Sequence, residues 1–387
     1  MKLPSFSVGQ VWKELHRFES LDENESSIVF YAENKASMNH FKRLISELTE
    51  KMDLNICYVT SVKDDPMLSS ENQKIKSFYI GDGTVRVKFF LTLKARILIM
   101  DMPDLEKLYV KRSKVYPVHY IYIFHSMFSM HSYLKKGAID NYDTIFCVGP
   151  HHLNEIKETE KVYGLKPKKL VLYGFARLDT LLQQKRNYPQ LNSKPKDLVL
   201  ITPSYGDNNL LEVCGVELID ILLKSNFKVL LRPHFRTLKE STKLIETINR
   251  EFGKNPNFTL EKGVIPPDLF HSSVCMISDW SGISLEYAFT FERPVIFIDV
   301  PKKILNSNSN DISLEPIEIS IRHEIGHVVS PKNLEKIPSL IASSDENDEI
   351  HEQIKVVRSK TVYNIGESAT VGAKYIQKLN EELRSIN

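Results

Sequence analysis

Side chains that can bind phosphate or accept a proton directly follow several apolar stretches of this sequence. His125 comes after one stretch, and Arg232 and His234 come after another. Near neutral pH an imidazole can take a proton from a hydroxyl group, and a guanidinium group can bind two phosphate oxygens at once. Other polar residues in equivalent positions are Thr202, Ser204, Ser278 and Asp279. Because this placement repeats, we expect an enzyme that acts on a phosphorylated substrate. Taken alone, each histidine could instead be a buried, hydrogen-bonded side chain, and Arg232 could belong to a surface ion pair.

Residues 274–298 carry two apolar runs, separated by a polar turn and a helical pattern. The runs are 274–277 and 295–298, and two runs without polar alternation that are joined by a helix predict a parallel βαβ unit. The turn lies where open α/β sheets bind ligands, and the free N–H groups at the start of the helix attract anions. The residues of this turn that suit phosphate are Asp279, Ser281, Gly282 and Ser284. An ordinary helix cap formed by Ser281 explains the local pattern equally well.

Length, charge and cysteine content restrict the possible classes of protein. A chain of 387 residues favours two domains over one. Lys and Arg total 51 and Asp and Glu total 49, a balance that argues against a nucleic-acid partner bound by bulk charge. The four cysteines are scattered, no signal-like segment opens the chain, and no apolar run approaches the ~20 residues that cross a bilayer. These features predict a cytoplasmic protein in a reducing compartment.

Apolar strands alternate with helical patterns along most of the chain, which predicts parallel sheets covered by helices on both faces. In addition to the two apolar runs above, strands are predicted at 27–32, 55–60, 78–83, 96–100, 119–124, 144–148, 169–173, 198–202, 228–231 and 258–260. Helices are predicted at 38–51, 84–94, 151–163, 209–223, 237–252, 267–272, 331–343 and 368–385, with a peripheral helix within 1–25.

A polar, proline-containing segment at 183–196 interrupts this pattern and is predicted to link two domains. The predicted fold class is α/β, with two doubly wound, Rossmann-like domains, residues 1–182 and 197–387, that face each other across a cleft. The last helix is a candidate for packing back onto the N-terminal domain.

Two short motifs suggest other chemistry. The segment from His323 to His327 matches H-E-x-x-H, which binds zinc when both imidazoles lie on one face of a helix. Its neighbours are β-branched residues and a proline, and the motif itself contains a glycine, all of which disfavour a long helix. Gly81 and Gly83 form a G-x-G without a third glycine, which favours a turn over a dinucleotide site.

With these residues identified, the chain resembles the CDP-glycerol glycerophosphotransferase family, the enzymes of teichoic-acid and related phosphopolymer synthesis. The family's T/S-D-Y-S-S turn stands here as Ser278-Asp279-Trp280-Ser281-Gly282, followed by Glu286 and by the strand Arg293-Pro294-Val295-Ile296-Phe297. Its R-P-H-P motif stands as Arg232-Pro233-His234-Phe235. Its strand-end His-Gly stands as His125-Ser126, with Lys135 and Lys136 following, and its late G-x-A-S segment resembles Gly366-Glu367-Ser368-Ala369. The similarity covers about residue 124 to the C-terminus and leaves a divergent N-terminal domain.

The resemblance implies a GT-B-like fold that needs no metal or other cofactor, with a CDP-linked donor bound mostly by the C-terminal domain and the acceptor on the N-terminal side. By analogy, His125 would deprotonate the acceptor hydroxyl, whose oxygen would attack the outer phosphorus of the donor while CMP departs. His234, the second catalytic candidate, would hold the pyrophosphate together with Arg232 and Ser281. The other donor-side candidates are Thr202, Ser204, Ser278, Asp279, Gly282, Ser284 and Glu286, and the acceptor-side candidates are Ser126, His131 and Lys135. Phosphoryl transfer depends mainly on positioning and charge stabilisation, which suits such residues.

The transferred group would be an alditol phosphate such as glycerol phosphate. The acceptor would be a hydroxyl of a cell-surface glycan or of a lipid-linked molecule, in a single transfer or in repeated ones. One alternative is a GT-B glycosyltransferase that uses a nucleotide sugar in surface polysaccharide synthesis, and another is a non-catalytic nucleotide-binding protein.

Peripheral docking on the anionic inner face of the cell membrane is a further possibility. The basic residues that suggest it are Lys42, Arg43, Lys94, Arg96, Lys111, Arg112 and Lys114. An ordinary solvated surface is the simpler interpretation of these charges.

Overall fold

The computed structural model describes residues 8–187, 197–263, 265, 267–302, 305–345 and 348–386. The chain divides into two compact units. Unit 1 comprises Met1–Asp179, Asn306–Ser313 and Val362–Asn387, and unit 2 comprises Thr180–Leu305 and Leu314–Thr361. Neither unit is a continuous piece of sequence, and the last 26 residues, which follow unit 2 in the sequence, belong to unit 1.

The strands of unit 1 are β1 (Ile28–Ala32), β2 (Ile56–Thr60), β3 (Ile75–Tyr79), β4 (Ile97–Met100), β5 (His119–Ile123), β6 (Thr144–Cys147) and β7 (Lys169–Leu172). They form one parallel sheet in the order β3-β2-β1-β4-β5-β6-β7. Every residue of β1, β2 and β4 is buried. Burial on both faces explains why these strands show no polar alternation in the sequence.

The strands of unit 2 are β8 (Leu198–Thr202), β9 (Lys228–Leu231), β10 (Phe258–Leu260), β11 (Ser273–Ser278), β12 (Val295–Ile298) and β13 (Gly326–Val329). They form a second parallel sheet in the order β10-β9-β8-β11-β12-β13.

The helices are α1 (Val8–Glu19), α2 (Met38–Ser46), α3 (Thr84–Thr92), α4 (Met130–Tyr133), α5 (Pro150–Tyr163), α6 (Ala176–Asn187), α7 (Leu210–Lys224), α8 (Phe235–Glu240), α9 (Thr242–Phe252), α10 (Pro267–Ser272), α11 (Ile283–Phe291), α12 (Ile317–Ser320), α13 (Ile337–Asp345), α14 (Asp348–Thr361) and α15 (Ser368–Ile386). Within the described residues, no helix combines the length and the apolar character needed to cross a membrane.

Both sheets have the strand order of the doubly wound fold, in which the direction of winding reverses once. The reversal lies between β1 and β4 in unit 1 and between β8 and β11 in unit 2. The loops after the two strands at a reversal leave to opposite faces of the sheet and open a crevice at its carboxyl edge, where such folds bind ligands. The predicted α/β class with two doubly wound, Rossmann-like units is confirmed.

Helix α15 completes the apolar core of unit 1. Its buried side chains pack with those of β1, β2 and α2, and the four that belong to this core are Ala369, Ala373, Ile376 and Leu379. At its start, the Asp179 carboxylate accepts hydrogen bonds from the backbone N–H groups of Gly366 and Ser368 at 2.6 and 3.0 Å. These bonds satisfy donors that a helix start leaves without partners.

Several predicted elements have different bounds in the structure. Strand β3 ends at Tyr79 rather than at residue 83, and the helix predicted at 331–343 begins only at Ile337. The helix predicted at 237–252 is two helices, because Ser241 has φ −119° and ψ 43°, outside the helical region. Residues 183–187 of the predicted linker are the end of α6, and residues 188–196 lie outside the described part of the chain.

The segment from His323 to His327 is a turn followed by a strand, not a helix. His323 lies in the turn and His327 lies on β13. Gly326 opens the strand, and a Cβ atom there would lie 1.8 Å from the Val295 carbonyl oxygen on β12. The glycine therefore permits the pairing of two strands, and the two imidazoles do not share a helix face. Gly81, with φ +62°, lies in the short connection between β3 and α3.

Candidate functional site

Asp279 joins the two loops at the strand reversal of unit 2. It follows β11 and is 1% exposed. Its carboxylate accepts hydrogen bonds from the backbone N–H and the hydroxyl of Ser204, after β8, at 2.6 and 3.1 Å. It also accepts from the backbone N–H groups of Leu210 and Trp280, at 2.9 and 2.7 Å. Both carboxylate oxygens are thus occupied by protein donors, so Asp279 and Ser204, expected to bind nucleotide or phosphate, bind each other.

Arg322 covers the same turn, although no sequence pattern indicates it. Its guanidinium carbon lies 3.5 Å from the centroid of the Trp280 ring, and one N–H donates to the Asp279 carbonyl oxygen at 3.0 Å. The Asp299 carboxylate lies 3.8 Å away, and burial lowers the pKa of Arg322 to about 10. A guanidinium group stacked on an indole ring places positive charge beside the turn and fixes the turn's shape.

Helix α11, which follows this turn, starts without a side-chain cap. Gly282 holds the N-cap position with φ −59° and ψ −23°, and no side-chain hydrogen bond caps the helix there. The Ser284 hydroxyl is buried and donates to the Ser281 carbonyl oxygen at 2.8 Å, so it is bound within the protein. Glu286 lies in the first turn of the helix. An uncapped first turn can offer backbone N–H groups to an anion. Capping by Ser281, the alternative from the sequence, is not observed.

Arg232 and His234 follow β9 and are held against neighbouring loops. The Arg232 backbone N–H donates to the carbonyl oxygen of Ile201 on β8 at 2.9 Å. The Nε–H of Arg232 donates to the Gly263 carbonyl oxygen at 3.3 Å. The His234 ring stacks on Tyr205 with 4.4 Å between centroids, and its Nδ1 accepts from the backbone N–H of Arg236 at 3.2 Å. Because Nδ1 accepts, the hydrogen bond assigns the proton of neutral His234 to Nε2, a donor suited to a phosphate oxygen.

Thr202 and Ser278 lie side by side at the carboxyl ends of β8 and β11. Both are buried, and the Ser278 hydroxyl donates to the Thr202 carbonyl oxygen at 2.7 Å. The Thr202 hydroxyl has no hydrogen-bond partner among the described residues. The structure therefore brings the predicted donor-side residues of β8 and β11 together, with Ser278 bound to the neighbouring strand.

His125 is an exposed imidazole at the carboxyl edge of the unit 1 sheet. Its ring lies 5.8 Å from that of Tyr133 and 6.4 Å from that of His40, measured between centroids. The surrounding protein lowers the pKa of His125 by desolvation, and a hydrogen bond to the Asp101 backbone opposes this effect. The neutral form, which can accept a proton, therefore predominates at neutral pH.

Asp101 follows β4 and joins the two loops at the strand reversal of unit 1. It is 7% exposed and accepts a hydrogen bond from the hydroxyl of Ser37, in the loop after β1, at 2.9 Å. Burial raises the pKa of Asp101 to about 6. This Ser–Asp pair has the same topological position as Ser204 and Asp279 in unit 2. No sequence motif indicates Asp101 or Ser37.

His131, expected to contact the acceptor, is buried instead. Its Nδ1 lies 3.2 Å from the Glu155 carboxylate on α5, and the side chains are 3% and 2% exposed. The same carboxylate accepts a hydrogen bond from the Met130 backbone N–H at 2.7 Å. His131 therefore helps to hold α4 against α5 through Glu155, and its buried ring is not placed to touch an acceptor.

Two further histidines of α5 hold the loop that carries His125. His151 and His152 lie 2.9 and 2.8 Å, through Nε2, from the carbonyl oxygens of Met127 and Phe128. Burial lowers the pKa of both imidazoles, and that of His152 falls to about 3. These contacts fix the loop after β5 from one side. Among the acceptor-side candidates, Lys135 is exposed, and the Ser126 hydroxyl accepts from the Phe128 backbone N–H at 3.2 Å.

Most of the basic residues expected to dock on a membrane are bonded to the protein itself. Arg43 donates to the Asp179 carbonyl oxygen, Arg96 is buried beside Asn24, and Arg112 pairs with Asp143. The lysine amines of Lys94 and Lys111 donate to backbone carbonyl oxygens. Five of the seven basic residues therefore connect parts of unit 1, and docking of this set on a membrane stays a prediction.

No three His, Cys, Asp or Glu residues are placed to hold a metal ion in the part of the chain that the structure describes. That the reaction needs no metal stays an expectation.

Comparisons with known proteins agree with this architecture. A family model described as CDP-Glycerol:Poly(glycerophosphate) glycerophosphotransferase matches residues 13–304. No curated protein has a significant sequence match to the chain. The solved structure of the wall teichoic acid polymerase TagF is similar with a TM-score of 0.62 and 15% identity, over 97% of this chain and 95% of that chain. The UDP-GlcNAc 2-epimerase of Methanocaldococcus jannaschii is similar with a TM-score of 0.57 and 14% identity, over 91% of this chain and 99% of that chain.

The structural likenesses confirm the GT-B-like fold. The family match begins at residue 13, so it includes most of unit 1, where the sequence resemblance begins only near residue 124. It ends before Gly366, so that late motif lies outside it. Because the match covers most of the chain, the chain belongs to the CDP-glycerol:poly(glycerophosphate) glycerophosphotransferase family, transferases that move glycerol phosphate from CDP-glycerol.

Proposed function

We propose that this transferase passes glycerol phosphate from CDP-glycerol to a hydroxyl of a cell-surface glycan or a lipid-linked acceptor, with His125 as general base. The observation that carries the proposal is the state of His125: an exposed imidazole at the carboxyl edge of a doubly wound sheet, with a pKa below its ordinary value. A general base must be unprotonated at the working pH and accessible to its substrate.

The hydrogen bond between His125 and the Asp101 backbone supports the role of base. A ring nitrogen that donates to a carbonyl oxygen leaves the other nitrogen as the acceptor of a neutral imidazole. That nitrogen would take the proton of the acceptor hydroxyl as its oxygen bonds to the outer phosphorus of the donor. The bond from this phosphorus to the bridging oxygen breaks, and CMP leaves.

On the donor side, the proposal assigns binding roles to Arg232, His234 and the start of α11. A guanidinium group and an imidazole N–H can neutralise and orient pyrophosphate oxygens, and an uncapped helix start can receive another phosphate oxygen. Asp279, Ser204, Ser278 and Ser284 have positioning roles, because their side chains are bonded within the protein. Arg322 adds positive charge to the turn and holds it in place.

Ligand-dependent melting would identify the donor. A ligand that binds the folded state raises the melting temperature, so the protein is heated with CMP, CDP, CDP-glycerol, CDP-ribitol and common UDP- and GDP-sugars. We expect stabilisation by CMP and CDP-glycerol, and loss of that stabilisation in Arg232→Ala. Stabilisation by UDP- or GDP-sugars alone would instead support a nucleotide-sugar glycosyltransferase.

Turnover tests the base. His125→Gln should still be stabilised by CDP-glycerol, but kcat should fall by roughly 10²–10⁴, the usual contribution of a general base. The matched control is His16→Gln on the exposed side of α1, which should leave kcat unchanged. The acid limb of the wild-type kcat/KM profile should lie below pH 6.5, the ordinary pKa from which that of His125 is lowered. Unchanged turnover in His125→Gln would exclude His125 as base, and CDP-glycerol binding without turnover in the wild type would support a non-catalytic binding protein.

The proposed site of action is the inner face of the cell membrane, where a lipid-linked acceptor is available. The lengths of the products would distinguish a single transfer onto that acceptor from repeated transfers. Electrophoresis of the reaction mixture would resolve these lengths.

A further inference from the structure

We propose that residues 102–117, which we call the docking loop, attach unit 1 to an anionic membrane by inserting Leu108 and Tyr109 among the lipid headgroups. The loop connects β4 to β5. The inference deepens the proposed function, because it explains how a lipid-linked acceptor would reach this transferase. It depends on exposed side chains, charge and loop geometry, which are independent of the transfer reaction.

The docking loop exposes four large apolar side chains within nine residues. Leu108 is 81% exposed and Tyr109 is 59% exposed. Val115 and Tyr116, near the end of the loop, are 61% and 40% exposed. Single exposed apolar residues are normal on protein surfaces, whereas several close together indicate an interaction site. Elsewhere among the described residues, the large apolar side chains that are exposed are spread over separate segments: Val162, Leu172, Val213, Phe235, Leu305, Leu314 and Val356.

The apolar tip is held outward by a fixed loop. Leu105 and Val110, on either side of the tip, are buried. The Glu106 backbone N–H donates to the Val110 carbonyl oxygen at 2.8 Å, which closes the loop around Leu108 and Tyr109. At its base, the Asn141 side-chain amide donates to the Leu105 carbonyl oxygen at 2.9 Å. The exposure of the tip is therefore a property of a well-bonded loop.

The backbone of the tip is strained in a way that favours exposure. Asp104, Glu106 and Leu108 have φ values of 70°, 71° and 45°. Such values are uncommon for residues other than glycine and unusual for a bulky side chain such as leucine. Strain of this kind persists where the surroundings impose it and concentrates at functional sites. A loop selected only for stability would place glycine or asparagine at position 108.

The charge of the loop indicates a lipid surface as the partner. Residues 102–117 contain four cations and two carboxylates, and Asp143 pairs with Arg112 from outside the loop, which leaves one excess positive charge. Asp104 already pairs with Lys107 at 3.0 Å, and the Glu106 carboxylate accepts from the Arg112 backbone N–H. Lys114 is exposed beside Val115, and the Arg86 guanidinium lies 5.6 Å from the centre of the Tyr109 ring. Aliphatic and aromatic tips flanked by lysine and arginine are typical of segments that enter the headgroup region of anionic bilayers.

The docking loop also contacts the acceptor-side segment of unit 1. The Asp104 backbone N–H donates to the Ala138 carbonyl oxygen at 2.7 Å. The Lys107 amine donates to the backbone carbonyl oxygen of Lys136 at 2.9 Å. Asp101, the residue before the loop, is bonded through its backbone to His125. Membrane attachment through this loop would therefore hold lipid next to the segment that follows the proposed base.

Vesicle binding by the full chain tests the proposal. The protein is sedimented with vesicles of phosphatidylcholine alone or of phosphatidylcholine mixed with phosphatidylglycerol, without any donor. We expect binding to the mixed vesicles that weakens as salt is raised, and at least tenfold weaker binding when Leu108→Asp is combined with Tyr109→Asp. The matched control is Val162→Asp, a change of similar chemistry at an exposed position of α5, which should bind like the wild type.

If the double variant is less stable than the wild type, a fluorescence measurement tests the insertion of the loop instead. Tyr109→Trp should show an emission shift to shorter wavelength, and quenching by brominated lipid, when mixed vesicles are added. Absence of vesicle binding by the wild type, equal binding by the double variant, or self-association of the wild type that the double variant loses would overturn the proposal. Because no donor is present, these results stay separate from transferase activity, which is measured in parallel with a water-soluble acceptor.

Discussion

At the scale of single residues, each sheet has an aspartate at the same topological position, but the two aspartates have different hydrogen-bonding environments. Asp101 and Asp279 each follow the strand beyond the reversal, and each accepts from a serine of the loop after the first strand. Asp279 also accepts three backbone N–H groups. For Asp101 burial is the main influence, and it raises the pKa to about 6. A buried carboxyl group with fewer donors is costly to ionise.

The raised pKa of Asp101 predicts how Asp101→Asn changes stability with pH. Between the ordinary carboxyl pKa and about 6, the folded protein holds a proton that the unfolded chain has released, so this residue's contribution to stability is lost as pH rises through that window. An amide keeps the acceptor for Ser37 and cannot ionise. We expect Asp101→Asn to increase the free energy of unfolding at pH 8 by about 1–3 kcal/mol, and to have little effect near pH 4.

Urea denaturation at both pH values measures this difference. The control is Asp53→Asn, because the Asp53 side chain is 84% exposed and its ion pair with Lys74 lies at the surface, so the free energy of unfolding should change little. An equal effect of Asp101→Asn at pH 8 and near pH 4 would contradict the assignment of a raised pKa to Asp101.

The sequence could not indicate site residues whose position depends on a hydrogen bond to a residue far away in the chain. His125, Arg232 and His234 directly follow predicted strands, so their place at a carboxyl edge can be read from the chain. Arg322 bonds to a residue 43 positions away, and the Ser37–Asp101 bond spans 64 positions. The same limit explains the error for His131, because its burial depends on Glu155, which lies on another element.

At the scale of elements, helix α5 acts as a support for the loop after β5. Its residues His151, His152 and Glu155 bond to the backbone between Met127 and Met130. Glu155 is buried, yet the hydrogen bond from His131 and the neighbouring imidazoles hold its pKa below the ordinary value despite that burial. An ionised carboxylate that receives these donors is a strong attachment point for the loop.

Removal of that attachment should affect both stability and turnover. Glu155→Ala leaves His131 and the Met130 N–H without their acceptor, and we expect the free energy of unfolding to fall by about 2–4 kcal/mol. Because the loop carries His125, kcat should fall by roughly tenfold or more through misplacement of the base, while CDP-glycerol still raises the melting temperature. Denaturation, turnover and ligand-dependent melting provide the three readouts.

The control on the same helix is Glu158→Ala. Glu158 pairs with Lys161 at the surface, so its loss should change stability by no more than about 0.5 kcal/mol and leave kcat unaltered. If Glu155→Ala lowers stability and leaves kcat at the wild-type value, α5 supports the fold without positioning the base.

Strands with apolar runs were predictable at this scale, including the three-residue edge strand β10, whereas the edge strand β13 was not. Strand β13 opens with a glycine and carries His327, so only its two valines favour a strand. It forms because Gly326 allows close approach to Val295 and the pair completes the edge of the sheet. The division of 237–252 at Ser241 is a local departure from helical dihedral angles that the sequence pattern did not indicate.

At the scale of the whole molecule, sequence order and unit membership differ. Unit 2 ends at Thr361, and the chain then returns to unit 1. Asp179, the last residue of the first segment of unit 1, bonds to the backbone at the start of α15. Gly174, with φ +103°, lies so near this region that a Cβ atom would be 2.3 Å from the Tyr363 carbonyl oxygen. The C-terminal helix is thus bonded to, and packed into, the unit that contains the proposed base.

This arrangement predicts that a change in the last helix weakens the first unit. Ile376 on α15 is fully buried in the core formed with β1, β2 and α2. Ile376→Ala should lower the stability of unit 1 by about 2–5 kcal/mol, the cost of lost burial and of the cavity left behind. Hydrogen exchange followed by mass spectrometry should show faster exchange in β1, β2 and α2, with β8, β9 and β11 unchanged.

Lys378→Ala on the same helix is the control, because the Lys378 side chain is 77% exposed and its loss should leave exchange as in the wild type. If Ile376→Ala instead speeds exchange mainly in unit 2, or if the two variants have equal effects, then α15 does not stabilise unit 1 through this buried side chain.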